Sequence, residues 1–236
     1  MLRISLISLA IILIIIVIRF LMPGSTRPDE YLSFAELKKY EKEHTDYRIR
    51  IYERNPEVAI FAIHGGNIEV GTSELAEDLG ERLEASTYIF EGLKPKGNSI
   101  LHITSTLYDE PAGVRMAEEA VTSLSLHGYR DVENERVYVG GRNKQYKEYV
   151  IDALEDAGFD AEDAPDRLGG TGKDNIVNRG KKGGGVQLEL STKLRESFFK
   201  DRDFAMNNRK QPTEAYKDFI KALEKATEKY KEEELT

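Results

Sequence analysis

The sequence contains no cysteine, and this absence removes several kinds of chemistry at once. Without a thiol there is no disulfide, no cysteine nucleophile, no cysteine-ligated zinc site and no lipidated N-terminal cysteine. Any bound metal ion must therefore be held by histidine, aspartate and glutamate. Histidine is itself scarce, since the chain has only four.

Positive charge is also in short supply. The 236 residues carry a formal net charge of −8, and setting aside the two arginines of residues 1–22 leaves a body near −10. Phosphate binding needs a basic face, so we expect no nucleic-acid partner. The length suits one domain with a substantial core, and we expect a monomer.

Three common active-site motifs are missing as well. Residues 71–74 lack the second glycine of a G-x-S-x-G nucleophile elbow. Gly172-Lys173 is followed by Asp174, and Arg167 stands where a phosphate-binding loop has its first glycine. The H-E-x-x-H pattern of many metalloproteases is also absent.

The N-terminal residues differ from the rest of the chain. Residues 4–18 carry no charge and lie between Arg3 and Arg19. A run of this length suits a signal peptide, while a membrane span needs about 20 residues and would require Arg19 to reach the interface. We expect residues 1–22 to be a hydrophobic helix that is either a signal peptide or, if uncleaved, a membrane anchor. The alternative is a buried helix of a soluble protein.

This segment indicates an extracellular or cell-envelope protein, in which residues 23–32 form a linker and residues 33–236 form the folded domain. Within that domain, predicted strands alternate with predicted helices, which indicates an α/β fold with an open, mixed and mostly parallel sheet flanked by helices. The predicted strands cover residues 47–52, 58–63, 87–90, 101–104, 121–126, 136–139 and 186–190. The predicted helices cover residues 33–43, 73–83, 111–119, 143–157, 192–199 and 213–234. Residues 160–185 show no clear element.

Two histidines occupy matching positions at the ends of predicted strands. His64 and His127 each close an apolar run and each precede a glycine, which allows a tight turn beside a bound group. Sites in open α/β sheets lie at such carboxyl ends. The two histidines would meet there if their strands are close in the sheet. Glu69 can fold back toward His64, and two imidazoles with one carboxylate form a common catalytic zinc set. The alternative is that each histidine is simply a hydrogen-bonded strand end.

A hydrolytic metal site also needs a base, and residues 186–190 offer one. Strand alternation puts Glu189 and Gln187 on the face opposite the apolar side chains. Apolar surroundings would raise the pKa of Glu189 toward the working pH and suit it to proton transfer. The alternative is a solvent-facing glutamate.

Six sequence blocks carry a resemblance to a known family. They are H-G-G-N-I-E-V-G-T-S-E at 64–74, F-E-G-L at 90–93, L-H-I-T-S at 101–105, L-H-G at 126–128, V-G-G-R at 139–142 and G-V-Q-L-E-L-S at 185–191. In this order they resemble the poly-gamma-glutamate hydrolase family of Bacillus phages and their hosts. The similarity runs from about residue 46 to residue 199.

The resemblance implies a fold like that of the zinc carboxypeptidases. It implies His64, Glu69 and His127 as ligands of one Zn²⁺ ion, and Glu189 as general base and acid. Carboxypeptidases place the ligand glutamate three residues after the first histidine, whereas here it comes five residues later. The loop must therefore be reshaped, and carboxypeptidase specificity residues cannot be transferred by counting.

The implied substrate is poly-gamma-glutamate, an anionic polypeptide with an α-carboxylate on every unit. Arginine suits such carboxylates because its planar fork matches them. Residues 166–182 hold five basic and two acidic residues, so Arg179 is one candidate, and Arg142 is another. The alternative for both is a solvated surface arginine. His102 is a candidate for contact with substrate or with a ligand, or is an ordinary strand histidine, and His44 shows no signal.

Three functions are compatible with these residues. The leading hypothesis is a zinc-dependent hydrolase of γ-glutamyl amide bonds in poly-gamma-glutamate. A γ-glutamyl amidase or carboxypeptidase acting on peptidoglycan peptides would use the same four site residues. A non-catalytic, envelope-bound binding protein is the third, and a water-activating Glu189 argues against it.

Overall fold

The computed structural model describes residues 29–235. The predicted hydrophobic helix of residues 1–22 and most of the predicted linker lie outside the described residues. None of the helices within residues 29–235 combines the length and apolar character needed to span a bilayer.

Seven strands form one sheet, and the predicted α/β fold class is confirmed. The strands are β1 (Tyr47–Tyr52), β2 (Asn55–Gly66), β3 (Ala85–Gly92), β4 (Thr122–Tyr129), β5 (Arg136–Gly141), β6 (Asp160–Asp163) and β7 (Val186–Ser191). Their order is β1-β3-β2-β4-β7-β5-β6. Four of the neighbouring pairs are parallel, while β1–β3 and β5–β7 are antiparallel. The sheet is thus open, mixed and mostly parallel.

Seven α-helices accompany the sheet within the described residues. They are α1 (Phe34–Tyr40), α2 (Thr72–Arg82), α3 (Pro111–Glu119), α4 (Lys144–Asp156), α5 (Thr192–Ser197), α6 (Met206–Arg209) and α7 (Glu214–Glu234). Ser33 caps the N-terminus of α1, since its hydroxyl accepts from the Glu36 N–H at 3.1 Å. Side-chain capping of this kind satisfies backbone donors that have no partner inside the helix.

Both faces of the central strand β2 are buried, as its continuous apolar run predicts. Val58, Ile60 and Ala62 pack into a cluster with α2, α4 and α7. Ala59, Phe61 and Ile63 pack into a second cluster with α1 and α3. Alternation of side chains along a strand produces this division, and the two layers of helices fix β2 firmly between them. The carboxyl end of β2 is therefore a rigid support for the loop that comes after it.

The structure corrects the prediction of strands at two places. The predicted strand at residues 101–104 is wrong: a 3-10 helix, Asn98–Leu101, is followed by irregular chain in which Leu101 and Ile103 are both buried. Their alternation reflects packing over the sheet and not strand pairing. The strand β6 was missed because it is short and mostly acidic, and it pairs in parallel with β5 at the edge of the sheet.

Candidate metal centre

Three parallel strands bring the candidate site residues together at their carboxyl ends. β4 pairs with β2 on one side and with β7 on the other, so the ends of these three strands are adjacent. His127 of β4 is directly opposite Glu189 of β7 in the register. His64 lies near the carboxyl end of β2. Two histidines that are far apart in the sequence therefore share one site.

The rings of His64 and His127 face each other in the interior. Both residues are 2% exposed, and their ring centroids are 4.9 Å apart. The two Nδ1 atoms lie 3.1 Å from each other. The Nδ1 atom of His64 also lies 3.1 Å from Oε1 of Glu69, and that of His127 lies 3.6 Å from Oε2 of the same carboxylate.

A hydrogen bond at the far side of each ring bears on which nitrogen carries a proton. Nε2 of His64 lies 2.9 Å from the carbonyl oxygen of Ile103, which can only accept, so this nitrogen donates. Nε2 of His127 lies 2.8 Å from the Ser125 hydroxyl and can donate in the same way. When both Nε2 atoms carry the protons of the neutral imidazoles, both Nδ1 atoms present lone pairs toward Glu69 and toward each other.

The loop between β2 and α2 folds Glu69 back onto the strand that carries His64. The Glu69 N–H donates to the His64 carbonyl at 2.8 Å, which closes a tight turn. Gly66 makes the turn possible, because its φ is +64° and an added Cβ would lie 2.5 Å from the Gly92 carbonyl oxygen. The Glu69 carboxylate accepts from the Gly128 N–H at 2.9 Å, so its orientation is fixed.

This arrangement fits a metal ion. Two lone pairs and a carboxylate directed at one point repel each other unless a proton or a cation lies between them, and the three residues could hold a metal ion. The electrostatics agree with this: burial alone would raise the pKa of Glu69, but positive charge and donated hydrogen bonds from protonated His64 and His127 hold it well below its usual value, and a cation at the same point would act in the same direction. The carboxylate is thus kept in the ionised form that metal binding needs.

Glu189 is the other carboxylate at the site. It is 8% exposed, and its Oε1 accepts from the Gln187 amide at 2.9 Å. Burial and the nearby negative charge of Glu69 raise the pKa of Glu189 to about 8. The expected apolar surroundings are not what contacts the carboxylate. Its neighbour is the polar Gln187, whose amide oxygen accepts from the Asn175 amide. The raised pKa is nevertheless suited to proton transfer near neutral pH.

An open cleft of about 1090 Å³ leads to these residues, and Glu69, Glu189 and both imidazoles form part of its wall. Two arginines, Arg130 and Arg167, also line the cleft and are exposed, although Asp131 and Asp166 stand beside them. Sequence reasoning missed both arginines, since an exposed arginine in a loop has no distinguishing pattern.

The arginines chosen from the sequence lie elsewhere. Arg142 comes directly after β5, which runs antiparallel to β7, so it lies at the end of the sheet opposite to the candidate metal centre. Arg179 donates to the Asp174 carbonyl through Nε at 3.1 Å and Nη2 at 2.9 Å. Neither residue lines the cleft. The expectation that Arg142 meets substrate there is corrected by strand direction, which the sequence does not reveal.

His102 lies next to the candidate metal centre, although it is not part of a strand. Its ring stacks on that of His64 with the centroids 3.9 Å apart, and its Nε2 lies 3.8 Å from Oε1 of Glu69. The Asp29 carboxylate orients the ring through a 2.7 Å contact with Nδ1 and accepts from the Thr104 N–H at 2.6 Å. His102 lines the cleft, so it is placed to meet a ligand there. Asp29 was missed because it lies within the predicted linker.

Removal of one imidazole tests whether this cluster binds metal. We expect the wild-type protein to bind one Zn²⁺ per chain. Removal of a residue that only hydrogen-bonds a metal ligand lowers metal affinity roughly 10- to 100-fold, and we expect His64→Ala to lower it by more. Isothermal titration with Zn²⁺ measures both affinities. His44→Asn is the matched control, because His44 is exposed and its φ of 63° is tolerated by asparagine. Equal zinc affinity of the wild type and the His64 variant would exclude this cluster as the zinc site.

The raised pKa of Glu189 predicts a pH dependence of stability in metal-free protein. The folded chain keeps this carboxyl neutral up to about pH 8, whereas an unfolded chain releases the proton near 4.5. The contribution of this carboxyl to the free energy of unfolding is therefore complete below about pH 4.5 and is lost as pH rises to about 8. Glu189→Gln stays neutral throughout, so its free energy of unfolding should gain on that of the wild type across this range. Urea denaturation at several pH values measures the difference, and a difference independent of pH contradicts the assignment.

Several known proteins are similar in sequence to this chain over most of its length. Residues 31–222 match the family described as poly-gamma-glutamate hydrolase. The UPF0714 protein YndL of Bacillus subtilis (strain 168) is 42% identical over 175 residues, which cover 72% of this chain and 67% of YndL. The UPF0714 protein YmaC of the same organism is 41% identical over 189 residues, which cover 79% of this chain and 78% of YmaC.

Solved structures agree with this similarity. A bacteriophage poly-gamma-glutamate hydrolase has a TM-score of 0.84 and 40% identity, over 86% of this chain and 98% of that one. A zinc-free structure of YndL has a TM-score of 0.80 and 37% identity, over 85% of this chain and 98% of that one. The resemblance carried by the six sequence blocks is confirmed: the chain belongs to the poly-gamma-glutamate hydrolase family.

Proposed function

We propose that this protein is a zinc-dependent hydrolase that cleaves γ-glutamyl amide bonds in poly-gamma-glutamate. The observation that carries the proposal is the meeting of a His-Glu-His cluster with a second, separately held carboxylate, Glu189, in the wall of one open cleft. Family membership and similarity to a bacteriophage poly-gamma-glutamate hydrolase support the choice of substrate.

Zinc suits the donor set of this cluster. In tetrahedral coordination with bonds of about 2.0–2.1 Å, ligand atoms lie roughly 3.3 Å apart. The separations between Nδ1 and carboxylate atoms here are 3.1 and 3.6 Å. A zinc ion held by His64, Glu69 and His127 would supply Lewis acidity toward the amide carbonyl and the attacking water.

Glu189 provides the proton transfers of the reaction. It takes a proton from the water whose oxygen attacks the γ-amide carbonyl carbon, and it then delivers that proton to the leaving amine as the C–N bond breaks. Its pKa of about 8 in the metal-free site would fall beside a bound cation, because positive charge favours the ionised carboxylate. One group thus serves as base and then as acid.

The cleft also supports recognition of an anionic chain. Each unit of poly-gamma-glutamate presents an α-carboxylate, and Arg130 and Arg167 are exposed along the cleft. Guanidinium groups bind carboxylates through paired hydrogen bonds. His102, held by Asp29, can donate or accept at the inner end of the same cleft. The uncharged run of residues 4–18 further leads us to propose that the reaction takes place outside the cytoplasm, on an extracellular or envelope polymer.

A product assay on poly-gamma-glutamate and on peptidoglycan peptides tests the proposal. We expect purified protein to shorten poly-gamma-glutamate, to lose this activity on chelation and to regain it with Zn²⁺. Glu189→Gln should lower kcat by about 10²- to 10⁴-fold, the range for loss of a general acid–base group, while zinc affinity stays close to that of the wild type. Size-exclusion chromatography of the products monitors the reaction.

Glu162→Gln is the matched control, because Glu162 is an exposed strand glutamate on β6 at the far edge of the same sheet. Cleavage confined to peptidoglycan peptides would replace the proposed substrate with the stem-peptide alternative. Unchanged turnover in the Glu189 variant would remove the proposed mechanism. Failure of the wild type to cleave either polymer would favour a binding protein.

A further inference from the structure

Arg195 on α5 is a buried cation that lies close to the candidate metal centre. It is 5% exposed, and its hydrogen bonds go to backbone carbonyls and a hydroxyl. Nη1 donates to the Val70 carbonyl at 2.7 Å, Nε donates to the Leu190 carbonyl at 3.2 Å, and Nη2 reaches the Thr192 hydroxyl at 3.4 Å. Burial without a carboxylate in these contacts is costly for an arginine, so the position of its partners is informative.

The partners of Arg195 come directly after residues of the site. Val70 is next to the candidate ligand Glu69, and Leu190 is next to Glu189. The guanidinium also lies against Gly128, the neighbour of His127, since a Cβ added to that glycine would be 2.6 Å from Cζ of Arg195. One guanidinium thus contacts three separate stretches of chain, each at the residue after a site residue.

The contact with Gly128 has a second consequence. The Gly128 N–H is the donor that fixes the Glu69 carboxylate at 2.9 Å, so the group under the guanidinium is itself part of the site's hydrogen bonding. The absence of a side chain at Gly128 lets the guanidinium lie directly on the backbone. The positive charge also acts favourably on both Glu69 and Glu189.

We propose that Arg195 is a positioning residue, which fixes the backbone directly after two metal-ligand residues and the catalytic glutamate. The planar fork presents several donors in a fixed geometry, whereas an apolar side chain has no donor and a lysine ammonium has no fixed fork. The part that concerns Glu189 rests on the proposed function, whereas the part that concerns metal binding does not. Arg195 does not line the cleft, so its effect on the reaction passes through the residues that it holds.

Arg195→Met tests the proposal, because methionine keeps much of the apolar volume and removes every donor. We expect zinc affinity, measured by calorimetry, to fall about 10- to 100-fold, as it does when a group that orients a ligand is lost. At saturating zinc, kcat should fall about 10- to 100-fold through misplacement of Glu189, while KM stays within about twofold. Arg202→Met is the matched control, since Arg202 makes an exposed ion pair with Glu135.

A merely structural role would lower the midpoint of thermal unfolding and leave zinc affinity and kcat of the folded protein within twofold of wild type, and this result overturns the proposal. If the methionine variant does not fold, Arg195→Lys decides, because an ammonium group keeps the charge but has a single nitrogen in place of the separate Nε and Nη1 donors that hold the two carbonyls. An intermediate loss of zinc affinity in the lysine variant supports the proposal, and wild-type affinity with wild-type kcat overturns it. If an Arg195 variant binds zinc more weakly and the wild type cleaves no γ-glutamyl bond, the proposed function is overturned. The role of Arg195 in positioning the metal site then still stands.

Discussion

The site depends on an electrostatic conflict between three side chains that the fold forces together. His64 and His127 direct their Nδ1 atoms at each other across 3.1 Å, and the Glu69 carboxylate faces the same point. Such an arrangement is unfavourable for lone pairs and a carboxylate unless a proton or a cation occupies the space between them. A bound cation would resolve the conflict, which would then contribute to metal affinity.

Other features of the molecule maintain this arrangement. The Ile103 carbonyl selects the protonated nitrogen of His64, and the Gly128 N–H orients Glu69. Arg195 is placed to hold the backbone beside the candidate ligand residues. Because the core packs both faces of β2, the strand cannot move to relieve the repulsion. The rigidity of the sheet thus preserves a site that would otherwise relax.

Separation of the two carboxylates suits them to the different roles of the proposed mechanism. Glu69 is held in its ionised form by the imidazoles, while burial and the charge of Glu69 keep Glu189 protonated to higher pH. Two carboxylates with divergent pKa values allow one to bind a cation and the other to transfer protons. The pairing of β4 with β7 places the second carboxylate opposite His127, so a single strand register sets the positions of both residues.

Sequence patterns predicted the parts of this site that depend on local order. Apolar runs ending in His-Gly marked the strand ends, and alternation in β7 assigned Glu189 to the face opposite the apolar side chains. Strand direction and neighbours could not be read in this way, so Arg142 was expected near a site that lies at the opposite end of the sheet. The irregular chain around His102 and the burial of Arg195 depend on tertiary packing, for which a single sequence offers no periodic signal.

X-ray absorption spectroscopy of the zinc-loaded protein would decide whether the two imidazoles and the carboxylate share one ion. A site built from His64, Glu69 and His127 predicts a four-coordinate zinc with two imidazole ligands and oxygen ligands. It also predicts that His127→Ala retains the scattering of one imidazole at most. A spectrum of the wild type that shows fewer than two imidazoles around zinc would contradict this site.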